Sequence, residues 1–419
     1  MATPVEVGLP TPQPLPFDES VRDSAGRALA LGLCAECFGR LFGRLGRGWS
    51  NPERARQVET ALGIPNRPVV RPCPLCGDAF ERLGVWVERA VRAAEGFEFR
   101  RFSCGSRWDP ELLAHEEAIW IQVGSTHGES VRTAFNRELG KKVAARARAE
   151  GTTVDPEVVL LADLPTGRVE LTVLPLYLRG RYRKLDRTIP QTHWPCRRCR
   201  GVGCDTCNGT GKTYPTSVEE IIGGPVLRAT HGTATRFHGM GREDIDARML
   251  GAGRPFVLEV LNPRLRSVEL SRIAAELADE GRGRVEVDGL TFAERGEVAR
   301  VKEASPTKSY RVVVAGDVPE EKVNEALAFV AGRAIAQRTP TRVAHRRSDR
   351  VRTRRILEAR LVSAEAGRFT LELTTEAGTY IKEWVEGDGG RTEPSLSGLV
   401  GVPLKVDALD VLAVHDAPE

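Results

Sequence analysis

The stretch His238–Pro255, HGMGREDIDARMLGAGRP, holds three acids (Glu243, Asp244, Asp246) and three arginines (Arg242, Arg248, Arg254) among four glycines and a proline. Three chemistries fit. Asp244 and Asp246 are spaced as D-x-D, and residues i and i+2 of a strand point the same way, so both could bind Mg²⁺. The flanking arginines would compete for the same carboxylates, and no third acid is placed to complete such a site. The charges could instead form a structural ion-pair network, which suits Glu243, Asp246 and Arg248. Finally, one aspartate could be a nucleophile, kept ionised by a neighbouring arginine and presented on a glycine-bounded turn.

The nine cysteines suggest separate chemistry. Eight form CxxC pairs: Cys34/Cys37, Cys73/Cys76, Cys196/Cys199 and Cys204/Cys207. Two thiolates in such a pair grip one side of a tetrahedral ion, and two pairs close a structural zinc site. With no secretion signal in view, zinc is favoured over disulfides. One or two structural Zn²⁺ ions are therefore expected. CRRCRGVGCDTCNGTG resembles half of the cysteine-rich zinc region of J-domain chaperones, and its glycines permit turns that aim amides at sulfur. Cys104 stands alone and reads as core. GTGKT (residues 209–213) mimics the end of a P-loop, but Thr206 occupies a required glycine position and the glycines belong to the cysteine knuckle.

The chain that carries these groups has 419 residues, 28% charged and 41% hydrophobic, with net charge +4. That length implies two or three domains. No apolar run approaches membrane-spanning length, and the N-terminus lacks the regions of a signal peptide. A cytoplasmic protein without membrane attachment is expected. Two basic stretches, Arg342–Arg355 and Arg179–Arg187, suit phosphate oxygens, although solvated loops explain each equally well.

Hydrophobic periodicity divides the chain. Residues 1–18 read as a flexible Pro-rich tail. Residues 18–45 read as one helix with Ser20 as N-cap, 79–95 as a second, 97–104 as a strand, and 130–150 as a helix ended by Gly151. Two strands joined at Pro165–Gly167 form a hairpin. Residues 19–190 are taken as an accessory domain and 191–216 as a zinc-knuckle junction. A third unit, 217–419, opens with a capping box at Ser217. Within it, strands are expected at 254–262, VEVDGL, EVARVKEA, YRVVVAG, RILEARLVSAEA and RFTLELTTEAG. Helices are expected at SVELSRIAAELADEG and PEEKVNEALAFVAG. The fold class is α+β, with a mixed, mostly antiparallel sheet in the third unit. No GxGxxG joins a strand to a helix, so dinucleotide or methyl-donor binding lacks support.

GREDIDARMLGAGRPFVLEVLNPR resembles the active-site segment of the archaeal-type tRNA pseudouridine synthases of family ten, where an arginine stands two residues before a catalytic aspartate. SPTKSYRVVV and GTYIKEWVEGDGGRTEPS are similar to that family's second and third motifs. The N-terminal half resembles its zinc-bearing accessory region with a THUMP-like module. The resemblance implies that Asp244 is the nucleophile and that Tyr310 stacks on the target base. It implies that Ile381, beside Tyr380, walls the site and that Lys382 places a cation near Asp244. Arg242 would pair with Asp244 or a phosphate. The implied substrate is uridine at position 54, 55 or both of the tRNA T-arm, and the implied protein is a monomer with no nucleotide or other catalytic cofactor. Each residue alone has a plainer reading: Tyr310 as core, Tyr380 as packing, Lys382 as surface.

Two rivals stand beside this expectation. Another THUMP-type tRNA-modifying enzyme would need a methyl-donor fold, or a P-loop with a catalytic cysteine. A non-catalytic zinc-containing RNA-binding protein would leave the GRED, TKSY and TYIKEW motifs unused.

Overall fold

The computed structural model describes residues 13–346 and 348–415, so the tail expected over 1–18 lies outside the described residues up to residue 12, as does residue 347 of the Arg342–Arg355 patch. The chain divides into two compact units, Met1–Leu174 and Pro175–Glu419. Among the described residues no helix is long and apolar enough to cross a membrane.

The first unit contains α1 (Glu19–Leu29), α2 (Ala35–Arg40), α3 (Asn51–Ala61), α4 (Leu83–Ala93), β1 (Arg101–Arg107), α5 (Pro110–Val123), α6 (Val131–Ala147), β2 (Glu150–Gly151), β3 (Val158–Asp163) and β4 (Arg168–Val173). Its four strands form one sheet in the order β2-β1-β3-β4, and the β3–β4 hairpin turns where Pro165–Gly167 predicted. The single helix expected over 18–45 is in fact α1 and α2. Asp18, not Ser20, caps α1 by accepting from the Val21 amide at 2.9 Å. A turn then brings Cys34 to the N-cap of α2, where its sulfur accepts from Cys37 N. Gly151 does not end α6. Arg148 does, in the left-handed region at φ 55°, and Gly151 lies in β2. Gln13, within the stretch read as flexible, donates its amide to Arg47 O and accepts from Trp49 Nε1.

The second unit contains β5 (Leu176–Lys184), α7 (Val218–Thr230), β6 (Ala234–Gly239), β7 (Arg248–Leu261), α8 (Leu270–Glu280), β8 (Val285–Ala293), α9 (Gly296–Glu303) and β9 (Thr307–Ala315). It continues with α10 (Glu320–Val330), β10 (Ala334–Arg338), β11 (Val351–Glu365), β12 (Arg368–Thr375), α11 (Ile381–Glu386), β13 (Thr392–Glu393), α12 (Leu396–Val400) and β14 (Lys405–His415). Its ten strands form one sheet, β13-β10-β11-β12-β9-β14-β7-β5-β8, with β6 on β7. Every pairing is antiparallel except β14–β7, so the sheet is mixed and mostly antiparallel as expected. Ser217 caps α7, accepting from Glu220 N and donating to Glu220 Oε2.

Two differences from the sequence reading have physical causes. EVARVKEA is not a strand: it lies in α9, whose one buried residue is Val301. Val298 and Val301 fit a helical period while Ala299 and Val301 fit an alternating one, and a run this short does not decide between them. The segment 176–184, read as accessory, is β5, hydrogen-bonded between β7 and β8.

Where β7 meets β14 the ladder is short. Only Arg248 and Met249 pair with β14, whereas residues 256–261 pair with β6. The same edge of β7 is left without a ladder partner between them. Gly251 lies there at φ +58°, and a Cβ would come within 2.1 Å of Leu412 O on β14. Gly251→Ala is expected to cost about 3 kcal/mol, combining left-handed backbone strain with forced separation from β14. Urea denaturation would measure it; a change within about 0.5 kcal/mol, the range of ordinary surface substitutions, would refute the close approach.

Candidate active site

Asp244 stands on the loop between β6 and β7, which the chain holds mainly by its backbone oxygens. Arg254 Nη1 donates to Met240 O at 2.8 Å, and Gln191 Nε2 to Gly241 O at 3.0 Å. Lys184 Nζ donates to Ile245 O at 2.6 Å and Asp244 O at 3.3 Å, and Arg187 Nη1 to Asp246 O at 2.8 Å. Lys184 is fully buried, and desolvation lowers its pKa to about 8 despite the nearby charge of Glu243. Below the loop, Glu243 is buried. It accepts from Arg254 Nε at 3.0 Å and from the Tyr182 hydroxyl at 2.9 Å. Glu243 and Arg254 are thus a desolvated structural pair, and removing either partner would leave a buried charge. Arg248 and Asp410 form a second, bidentate pair at 3.0 and 2.9 Å.

The Asp244 carboxylate is about one third exposed. Arg342, which the sequence reading did not place here, donates through Nη1 to Oδ1 at 2.9 Å. Arg342 also donates through Nε to the buried Glu383. Burial works against the Arg342 charge, but the bond to Glu383 and the charges of Asp244 and Glu383 outweigh it and hold its pKa above the ordinary value. Arg242 lies with its guanidinium 5.3 Å from the ring centre of Trp194, a cation–π geometry.

Lys382 Nζ donates to both oxygens of Asp246, at 2.6 and 2.8 Å, and lies 3.9 Å from Asp244 Oδ2. Burial opposes the charge of Asp246, yet these bonds keep its pKa below the usual carboxylate value. The place between the two aspartates that a D-x-D metal would need is occupied by this ammonium. That arrangement disfavours the metal reading on chemical grounds.

One cleft of about 980 Å³ gathers Asp244 with Arg242, Tyr310, Tyr380, Ile381 and Lys382, together with Arg342 and Lys308. Tyr310 is 8% exposed on β9, and burial, with the charge of Asp244 adding to it, pushes its hydroxyl up to about 12. Tyr380 caps α11; its amide donates to Gln337 Oε1 at 2.9 Å and its carbonyl accepts from Gln337 Nε2 at 3.0 Å. Those bonds fix the start of the helix that carries Ile381, itself buried, and Lys382. Lys308 lies in the SPTKSYRVVV motif, and Arg342 and Lys184 in the two basic stretches, but the sequence reading gave none of them a role at Asp244, and Gln191 had no motif to announce it.

Each of the two cysteine tetrads brings its four sulfurs within 4.8 Å of one another. Cys34 and Cys76 are 3.8 Å apart, as are Cys199 and Cys207, and Cys204 and Cys207 are 3.7 Å apart. A tetrahedral ion with Zn–S near 2.3 Å requires sulfurs roughly 3.8 Å apart, so both sets fit. Amides aim at sulfur as the glycines promised: Gly203 N and Gly211 N donate to Cys199 and Cys207, both at 3.2 Å. A Cβ on Gly211 would lie 2.3 Å from Gly201 O, so the knuckle closes only with glycine there. Cys34, Cys37, Cys73 and Cys76 lie inside the first unit's core; Cys199 and Cys204 of the knuckle are only half-buried. Cys104 is half-buried and packs against that first core.

Residues 177–415 match the family model described as Pus10, C-terminal, and residues 86–163 match Pus10 THUMP domain, archaeal. A tRNA pseudouridine synthase Pus10 of Methanothrix thermoacetophila is 40% identical over 428 residues, covering 94% of each chain. The one from Methanothermobacter marburgensis is 42% identical, covering 92% of this chain and 95% of that one. For that of Archaeoglobus fulgidus the identity is 42%, with 83% and 96% covered.

Proposed function

Because the chain belongs to the Pus10 family of tRNA pseudouridine synthases, we propose that it isomerises uridine at position 54, 55 or both of the tRNA T-arm, with Asp244 as nucleophile and no catalytic cofactor. The observation that carries this is the single cleft joining Asp244 to Tyr310, Lys382 and Arg342.

The reaction is an isomerisation and needs no oxidant. An Asp244 oxygen bonds to C1′ as the C1′–N1 electron pair departs with uracil. The ring turns, C5 bonds to C1′, and Asp244 is released. C5 gives up its proton and N1 gains one, so atoms balance. Arg342 and Lys382 keep Asp244 anionic for the first step. Tyr310 supplies a flat face for a base flipped out of its stack, which costs a few kcal/mol to extrude, and its hydroxyl sits where the C5 proton is removed. Arg352 and Arg354, which line the same cleft, suit the phosphates of the incoming strand. Residues 19–174 and the knuckle 191–216 hold the rest of the tRNA, and the protein works as a monomer in the cytoplasm. Both tetrads take structural Zn²⁺, which cross-links chain segments and has no part in the reaction.

An unmodified tRNA transcript incubated with the purified protein alone should acquire pseudouridine in the T-arm, mapped by position. Absence of pseudouridine anywhere in the transcript would refute the assignment. Tyr310→Phe should bind RNA within about threefold of wild type while turnover falls on the order of a hundredfold, the range for one positioned proton-handling group. Unchanged turnover would return the Tyr310 hydroxyl to a packing role.

A further inference from the structure

Two lysines are buried next to the Asp244 loop. Lys184 holds three carbonyls, those of Ile189, Asp244 and Ile245. Lys308 has no comparable set of partners. It is 8% exposed, its Nζ donates to Pro306 O at 3.1 Å, and among the described residues no carboxylate lies within ion-pair distance. A second buried cation, Arg254, lies close by. A Cβ built on Gly241 would lie 3.0 Å from Arg254 Nη1 and 3.8 Å from Lys308 Nζ, so the two flank the base of the Asp244 loop. Arg254 is neutralised by Glu243; Lys308 is not. Burial, reinforced by the Arg254 charge, lowers the Lys308 pKa to about 8.

A desolvated, unpaired ammonium costs several kcal/mol, and such costs persist where a site uses them. Lys308 lines the cleft. On β9 the buried positions alternate, so Lys308 and Tyr310 share one face, about 7 Å apart along the strand. A pyrimidine stacked on Tyr310 would bring its carbonyl edge toward the ammonium.

We propose that Lys308 stabilises the leaving group: its ammonium holds the negative charge that uracil acquires when the C1′–N1 bond breaks. This rests on the pseudouridine synthase reading. In the ground state uracil is neutral, so the contact strengthens only as the bond electrons arrive on N1 and spread to O2 and O4. Interactions made mainly in the transition state raise kcat more than affinity.

The test pairs Lys308→Met with two RNA substrates, one carrying uridine and one carrying 5-fluorouridine at the target. Fluorine makes the departing uracil anion intrinsically more stable. Single-turnover loss of the intact nucleoside at saturating RNA should slow on the order of a hundredfold or more for uridine, the loss typical of one preorganised charge-stabilising group. For 5-fluorouridine it should slow less than about tenfold, because less charge stabilisation remains to be lost. RNA affinity should stay within about threefold and the melting temperature should not fall, since an unpaired buried charge has been removed. Lys308→Gln, which keeps a donor without the charge, should give the same ratio and serves if the Met variant does not fold. Equal losses on both substrates, a loss in RNA affinity alone (a phosphate anchor), or wild-type rates would overturn the proposal. A wild-type protein that forms no pseudouridine would instead refute the underlying assignment.

Discussion

Asp244→Asn should abolish pseudouridine formation, by about ten-thousand-fold or more, the scale of removing a covalent nucleophile. RNA affinity should remain within about threefold. The amide is nearly isosteric but cannot attack C1′ at a useful rate. The structure gives the variant good reason to fold. The loop is fastened through its main-chain oxygens, and Arg342 and Lys382 keep Glu383 and Asp246 as partners. Release of the C5 hydrogen from labelled tRNA would measure the loss. Asp246→Asn supplies the contrast, since the Asp246 carboxylate serves Lys382 and should cost about tenfold or less, as for loss of one exposed charge contact. If Asp244→Asn kept substantial turnover, or if the two variants fell alike, the nucleophile would have to be sought elsewhere.

Cys37→Ser should unfold the first unit while leaving the second intact. Cys37 is fully buried among Phe38, Phe42 and Leu75. A structural zinc contributes on the order of 10 kcal/mol of binding free energy to folding, comparable to the whole stability of a domain. Limited proteolysis should then digest residues up to about Leu174, and zinc content should drop from two ions per chain to one. Cys199→Ser, in the half-buried knuckle, should lose its ion with a much smaller fall in stability. Undiminished zinc and unchanged protease resistance in Cys37→Ser would remove the first site from consideration.

What could be read from the residues depended on how local the physics was. The CxxC pairs were legible because a tetrahedral ion imposes its own spacing on chain segments two residues long. The mixed sheet was legible from alternating strands such as Tyr310–Val314. One short segment was not: Gly296–Glu303 folded as a helix, where Val298 and Val301 satisfy the helical period and Ala299 and Val301 the alternating one. Ser20 lost the first helix cap to Asp18, two residues earlier, since both residue types can cap and only the chain's actual entry into the helix at Glu19 decides between them. Arg342 lay in a run of arginines that suggested phosphates, and only the fold brings it across the chain to Asp244. That Lys184, Arg187 and Gln191 anchor the loop was illegible for a deeper reason. They bind carbonyl oxygens, which every residue has, so no motif in the loop records their presence.

That fastening has a consequence for how such a site can be moved or remade. The loop from Gly241 to Ala247 carries the proposed nucleophile, but its shape is specified by side chains at 184, 187, 191 and 254. Grafting those seven residues onto another hairpin would transfer the aspartate without its aim. Conversely, loop residues that point outward could be exchanged freely while the four anchors stay. Two chains could therefore share the short active-site motif and differ in activity, or differ across much of the loop and keep it, according to four positions outside that loop.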